Sequence, residues 1–103
     1  MTRRLRLSLI GPGAIAEDHL AALRSDGGID LCKAMGRRIE PTQVFAGRWG
    51  FRAATTDLAV LLDDDSDVVL ICSPNGLHVE QARACLERGK QVILELPAAL
   101  SYP

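Results

Sequence analysis

Gly11-Pro12-Gly13-Ala14-Ile15-Ala16 follows directly on the apolar run Leu7 to Ile10, giving a G-x-G-x-x-A spacing at the end of a strand pattern. Each small residue meets a different steric demand. Gly11 allows a tight turn, Gly13 lets backbone approach a diphosphate, and Ala16 lets the following helix sit close on the strand. A helix opening at Ala14 and Ile15 presents unpaired N–H groups and a partial positive charge, the natural partners of phosphate oxygens.

Strand, turn and helix in that order form the phosphate-binding unit of a Rossmann domain, where ligands sit beyond the carboxyl ends of the strands. The end of the second strand then selects the dinucleotide. An Asp or Glu there accepts hydrogen bonds from a ribose diol and favours NAD. This chain has Gly36-Arg37-Arg38 instead. A guanidinium binds a 2′-phosphate through paired charge-assisted bonds and stacks on adenine, whereas a carboxylate repels it. NADP is the expected cofactor, with NAD second. Two further segments are expected at the same end, Ser73-Pro74-Asn75 and Glu95 to Pro97. Pro74 stiffens its turn, and Asn75 either caps the next helix or bonds a ribose. His78 falls in the first turn of that helix, as a neighbour of the cofactor or as a hydrogen-bonded structural group. His19 is read as structural, facing inward beside Ile15 and Leu23.

The elements that must position these residues alternate along the chain. Strands are expected at Leu5 to Ile10, Asp30 to Met35, Phe51 to Ala54, Asp67 to Cys72 and Gln91 to Leu96. Helices are expected from Ala14 to about Ser25, from Thr42 to Trp49, from a Thr55 or Thr56 cap to Leu62, and from about Gly76 to Arg88. Ile15, His19, Ala22 and Leu23 are assigned to the inner face of the first helix. Val68 to Ile71 is apolar on both faces, as a central parallel strand should be. Lys33 is a misfit, implying that one face of the second strand reaches solvent or that its ammonium snorkels past the short third strand. The expected fold is α/β, a three-layer Rossmann-type domain with a parallel sheet of about five strands in the order 3-2-1-4-5, ending before a sixth strand.

A chain of 103 residues suits one domain over positions 1–103. A net charge of −1 favours neither nucleic acid nor anionic membranes, and Arg3, Arg4 and Arg6 read as a solvated strand end. No apolar run is long enough to span a bilayer, and the start lacks a secretory pattern. Cys32, Cys72 and Cys85 show no C-x-x-C spacing and no basic partner, so buried thiols in a reducing cytoplasm are expected. Asp63, Asp64, Asp65 and Asp67 are nearly consecutive, which suits a solvated turn and not a metal site; no metal is expected.

The segments G-P-G-A-I-A-E-D-H, F-A-G-R-W-G, T-D-L-A-V-L-L, S-P-N-G-L-H and G-K-Q-V-I-L-E-L-P-A-A-L-S occur in one order over nearly the whole chain. Together they resemble the N-terminal half of the glucose–fructose oxidoreductase, inositol dehydrogenase and rhizopine catabolism family. The resemblance implies an NAD(P)-binding Rossmann domain followed by a larger substrate-binding domain, and hydride transfer to or from sugars, polyols and related hydroxy compounds. It departs at Glu95-Leu96-Pro97, where the family usually has E-K-P. Leu96 cannot take over the lysine's roles of positioning substrate and relaying a proton. Branches with an aliphatic residue there include one similar to 4-carboxy-2-hydroxymuconate-6-semialdehyde dehydrogenase, an NADP enzyme of aromatic-acid breakdown. The family's sixth strand, substrate domain and catalytic histidine all lie beyond position 103. No residue is therefore assigned as catalytic, and the chain alone is expected to be inactive. The fifth strand, left as an edge, invites pairing into a homo-oligomer. The alternative reading is a standalone, non-catalytic dinucleotide-binding sensor or regulatory module.

Overall fold

The computed structural model describes residues 4–24, 27–73 and 75–94. Its elements are β1 (Leu5–Ile10), α1 (Ala14–Arg24), β2 (Ile29–Met35), α2 (Ile39–Trp49), β3 (Ala53–Thr55), α3 (Leu58–Leu62), β4 (Val68–Ile71), α4 (Asn75–Glu87) and β5 (Gln91–Leu94). The strands form one sheet in the order β3-β2-β1-β4-β5, with every neighbouring pair parallel. The reversal of strand order lies between β1 and β4, as the sequence predicts.

Period-two alternation along the central strands supplies two cores, one on each face of the sheet. Leu7, Leu9, Val68 and Leu70 pack on one side with Ala16, Leu20, Phe45 and Phe51. Ile10, Val69 and Ile71 pack on the other with Leu61, Leu62 and Cys85. Burying one such Leu or Ile side chain contributes about 1.5–3 kcal/mol. The three-layer architecture follows from β4 being apolar and buried throughout.

Several expectations are corrected in detail. The buried stripe of α1 is Ala16 and Leu20, with Leu23 partly buried; Ile15 and Ala22 are exposed. Placing Ala16 inward turns Ile15 outward, because adjacent helical residues lie about 100° apart. Asp57 caps α3, its carboxylate accepting from the Ala59 amide at 2.9 Å, while the Thr55 hydroxyl accepts from Asp57 N. Phe51 precedes β3 and is buried beside Phe45, with ring centroids 6.2 Å apart. Lys33 reaches past β3 to donate to the Val60 carbonyl at 2.8 Å, near the C-terminal end of α3. The strand after α4 is described to Leu94; Glu95, Leu96 and Pro97 lie outside the described residues.

The acidic run before β4 is only partly a solvated turn. Asp64 is buried with Lys90, their side chains 7% and 6% exposed and the charges 3.2 Å apart. The Lys90 ammonium also donates to the Ser66 carbonyl at 2.9 Å. Ser8 donates to Asp64 at 2.8 Å and accepts from the Lys33 amide at 3.2 Å. That amide needs a partner because the β1–β2 register shifts between Leu7 and Leu9. One carboxylate thus ties a sheet irregularity to the turn before β4 and to the residue before β5.

Burial opposes the charged form of Asp64, but the Ser66 hydroxyl and amide, Ser8 and Lys90 outweigh it and hold the carboxyl below its ordinary value. Cys32 also differs from expectation, since Arg52 donates to its sulfur at 2.8 Å. Burial pushes the Cys32 thiol up more than Arg52 pulls it down, so it stays protonated.

Candidate functional site

Three backbone bonds run across the carboxyl ends of four strands and set the loops that follow them. Cys72 N donates to Ile10 O at 2.7 Å, Gly11 N to Met35 O at 2.9 Å, and Gly36 N to Thr55 O at 3.1 Å. These bonds bring the turns after β1, β2 and β4 around a cleft of about 630 Å³ at the switch in strand order.

Gly11 sits at φ +94°, and a Cβ there would meet Ser73 N at 2.5 Å and the Cys72 carbonyl carbon at 2.7 Å. Both the backbone conformation and the contact with the β4 turn demand glycine. Gly13 is different, because a Cβ there would meet nothing within 4 Å. Its place at the helix entrance is open on the outer side, as a group approached by a ligand must be.

Gly11, Arg37, Arg38 and Ser73 line the cleft together. Gly13 and Ala14 line an adjoining groove that shares Pro12 and Pro41 with it. Ile15 is exposed on α1 and lines neither. Asn75 opens α4, while Pro74, Glu95 and Pro97 lie outside the described residues. His78 is buried behind the cleft wall with its Nε2 on the Ser73 carbonyl.

Arg38 occupies the cap position of α2 without a side-chain capping bond, and Arg37 precedes it, exposed. Among the described residues neither guanidinium has a hydrogen bond or ion pair. The described cleft lining holds these two cations and no carboxylate. Such a lining attracts an anion and repels none.

Met35, Thr56, Leu77 and Gln81 also line the cleft and were not read as site residues from the sequence. For Gln81 a signal existed: it follows His78 by three positions, which places the two on neighbouring turns of one helix. Thr56 carried none, because it enters the cleft only through the pairing of β3 with β2.

A doubly wound sheet with a glycine turn at its switch point defines a dinucleotide-type fold. The family model described as "Oxidoreductase family, NAD-binding Rossmann fold" matches residues 5–103, and the chain belongs to this family. The 4-carboxy-2-hydroxymuconate-6-semialdehyde dehydrogenase of Sphingobium sp. strain SYK-6 is 37% identical over 99 residues, covering 95% of this chain and 31% of that protein. An inositol 2-dehydrogenase of Mycolicibacterium gilvum is 33% identical over 95 residues, covering 90% of this chain and 27% of its own length. Among solved structures, a levoglucosan dehydrogenase in complex with NADH and levoglucosan superimposes with a TM-score of 0.84 at 31% identity, covering 89% of this chain and 27% of that one. The chain therefore spans less than a third of the relatives it matches.

Proposed function

We propose that this chain is the dinucleotide-binding part of an NADP(H)-dependent oxidoreductase that transfers hydride to or from a sugar, polyol or hydroxy-semialdehyde. The observation that carries the cofactor preference is the pair Arg37 and Arg38, uncommitted within the described fold at the end of β2, in a cleft without a carboxylate. Gly11, Gly13 and Ala14 would hold the pyrophosphate, with Arg37 and Arg38 on the 2′-phosphate. Ser73, Pro74 and Asn75 would flank the ribose, with Glu95 and Pro97 completing the site; Ile15, which lines neither the cleft nor its groove, is left out. Bound there, the nicotinamide supplies hydride chemistry, while the chain's own residues bind and orient it. No residue of this chain is assigned as acid or base, so the substrate domain and proton relay are placed in a partner segment outside positions 1–103. Three free cysteines support a reducing compartment such as the cytoplasm. Ile93 and Leu94, exposed on the outermost described strand, support self-association.

Calorimetric titration with NADPH, NADH and ADP-ribose tests the cofactor reading. NADPH should bind more tightly than NADH, and equal affinities would remove the role given to Arg37 and Arg38. Leu96 favours a second reading, a dinucleotide-binding module without catalysis, since it stands where the family usually carries lysine.

A further inference from the structure

Ser73 is held from three sides at the wall of the cleft. His78 and Gln81 lie three positions apart on α4, and both reach back to it. His78 Nε2 bonds the Ser73 carbonyl, and the Ser73 hydroxyl donates to Gln81 Oε1. Ser73, His78 and Gln81 are 8%, 4% and 8% exposed, so neither bond has ready exchange with water. On the third side, the Ser73 amide and Cα press on Gly11, where any Cβ would come within 2.5 and 2.7 Å of them.

A carbonyl only accepts, so His78 Nε2 carries a proton and is the donor of this bond. The other ring nitrogen, Nδ1, is buried with no hydrogen-bond partner among the described residues. Leaving a buried polar atom unmatched is unfavourable, whether it is donor or acceptor. An apolar ring of similar size would avoid that cost, and the bond to Ser73 is what the imidazole supplies in its place.

We propose that His78 and Gln81 are positioning residues of the dinucleotide site, setting Ser73 against Gly11 and through it fixing the phosphate turn. His78 acts from behind the cleft wall and Gln81 from within it. The role in binding rests on the dinucleotide reading above; the setting of the Gly11 turn does not.

His78→Phe keeps a ring and removes the donor, whereas His78→Gln places an amide N–H at a reach similar to Nε2. Gln81→Met removes the acceptor at nearly constant length. In the folded chain, His78→Phe and Gln81→Met should each weaken NADPH about tenfold by calorimetry, as expected for one buried hydrogen bond. His78→Gln should recover most of that loss. Nitrogen-detected NMR of the imidazole should show a proton on Nε2, and the Gly11 amide resonance should shift in His78→Phe and return in His78→Gln. Unchanged NADPH affinity with only a lowered melting temperature would overturn the proposal, as would a ring without a proton on Nε2 or an unmoved Gly11 amide. If His78→Phe does not fold, Gln81→Met and the wild-type tautomer decide. Absence of any dinucleotide binding by the wild type would remove the proposed function, whereas the Gly11 amide would still judge the clamp.

Discussion

The two ends of the sheet treat their charges in opposite ways. At the amino ends of the strands, Arg4 meets Asp30 at 2.6 Å, Arg6 meets Asp65 at 2.9 Å, and buried Lys90 meets Asp64 at 3.2 Å. At the carboxyl ends, Arg37 and Arg38 meet no carboxylate among the described residues. Each end also has a cavity, about 510 Å³ beside Arg4, Arg24 and Trp49 and about 630 Å³ beside Arg37 and Arg38. Size does not separate them. At the first, Arg4 bonds Asp30, and Arg24 lies over the Trp49 ring at 4.7 Å. Cations at one end are committed to the fold, and at the other Arg37 and Arg38 have no partner among the described residues.

The largest effect should come from breaking the committed end. Lys90→Met leaves Asp64 buried without its cation and should destabilise the fold by about 3–5 kcal/mol in chemical denaturation. A loss below ~1 kcal/mol would mean that water or Ser66 satisfies Asp64 unaided. The same group sets an acid limit. Because its folded value lies below the ordinary 3.8, its contribution is present above that pH and lost as pH falls through the lower folded value. Lys90→Met should flatten the acid-side slope of stability against pH.

The two glycines of the turn after β1 should separate stability from binding. Gly11→Ala combines a left-handed backbone with a clash on Ser73, and at least ~2 kcal/mol of stability should be lost. Gly13→Val meets open space, so its melting temperature should stay near wild type while NADPH binding disappears. Tight binding by a folded Gly13→Val chain would contradict the phosphate-turn assignment.

At the uncommitted end, Arg37→Asp should reverse the order of NADPH and NADH, changing their affinity ratio by about tenfold or more with little effect on stability. The smallest effect belongs to Asp30→Ala. Arg4 and Asp30 are 53% and 42% exposed, and an exposed pair contributes only about 0–1 kcal/mol. A larger loss on thermal melting would give that end more cooperativity than its solvent screening allows.

The sequence by itself determined the alternation of strands and helices, the glycine turn after β1, and the absence of a carboxylate after β2. Each is a local property: hydrophobic period, a turn that only small residues permit, and the charge of adjacent residues. Tertiary structure decided the rest. Four nearby aspartates look alike along the chain, and Asp64 is singled out by Lys90, which lies 26 positions away and reaches it only when β4 and β5 pair. His78 could be read as a cofactor neighbour or as a structural group until the end of β4 placed the Ser73 carbonyl against it. Ile15 and Ala16 have similar apolar character, and only the packing of α1 on the sheet, with Ala16 and Leu20 as its buried stripe, turned Ala16 inward and Ile15 out.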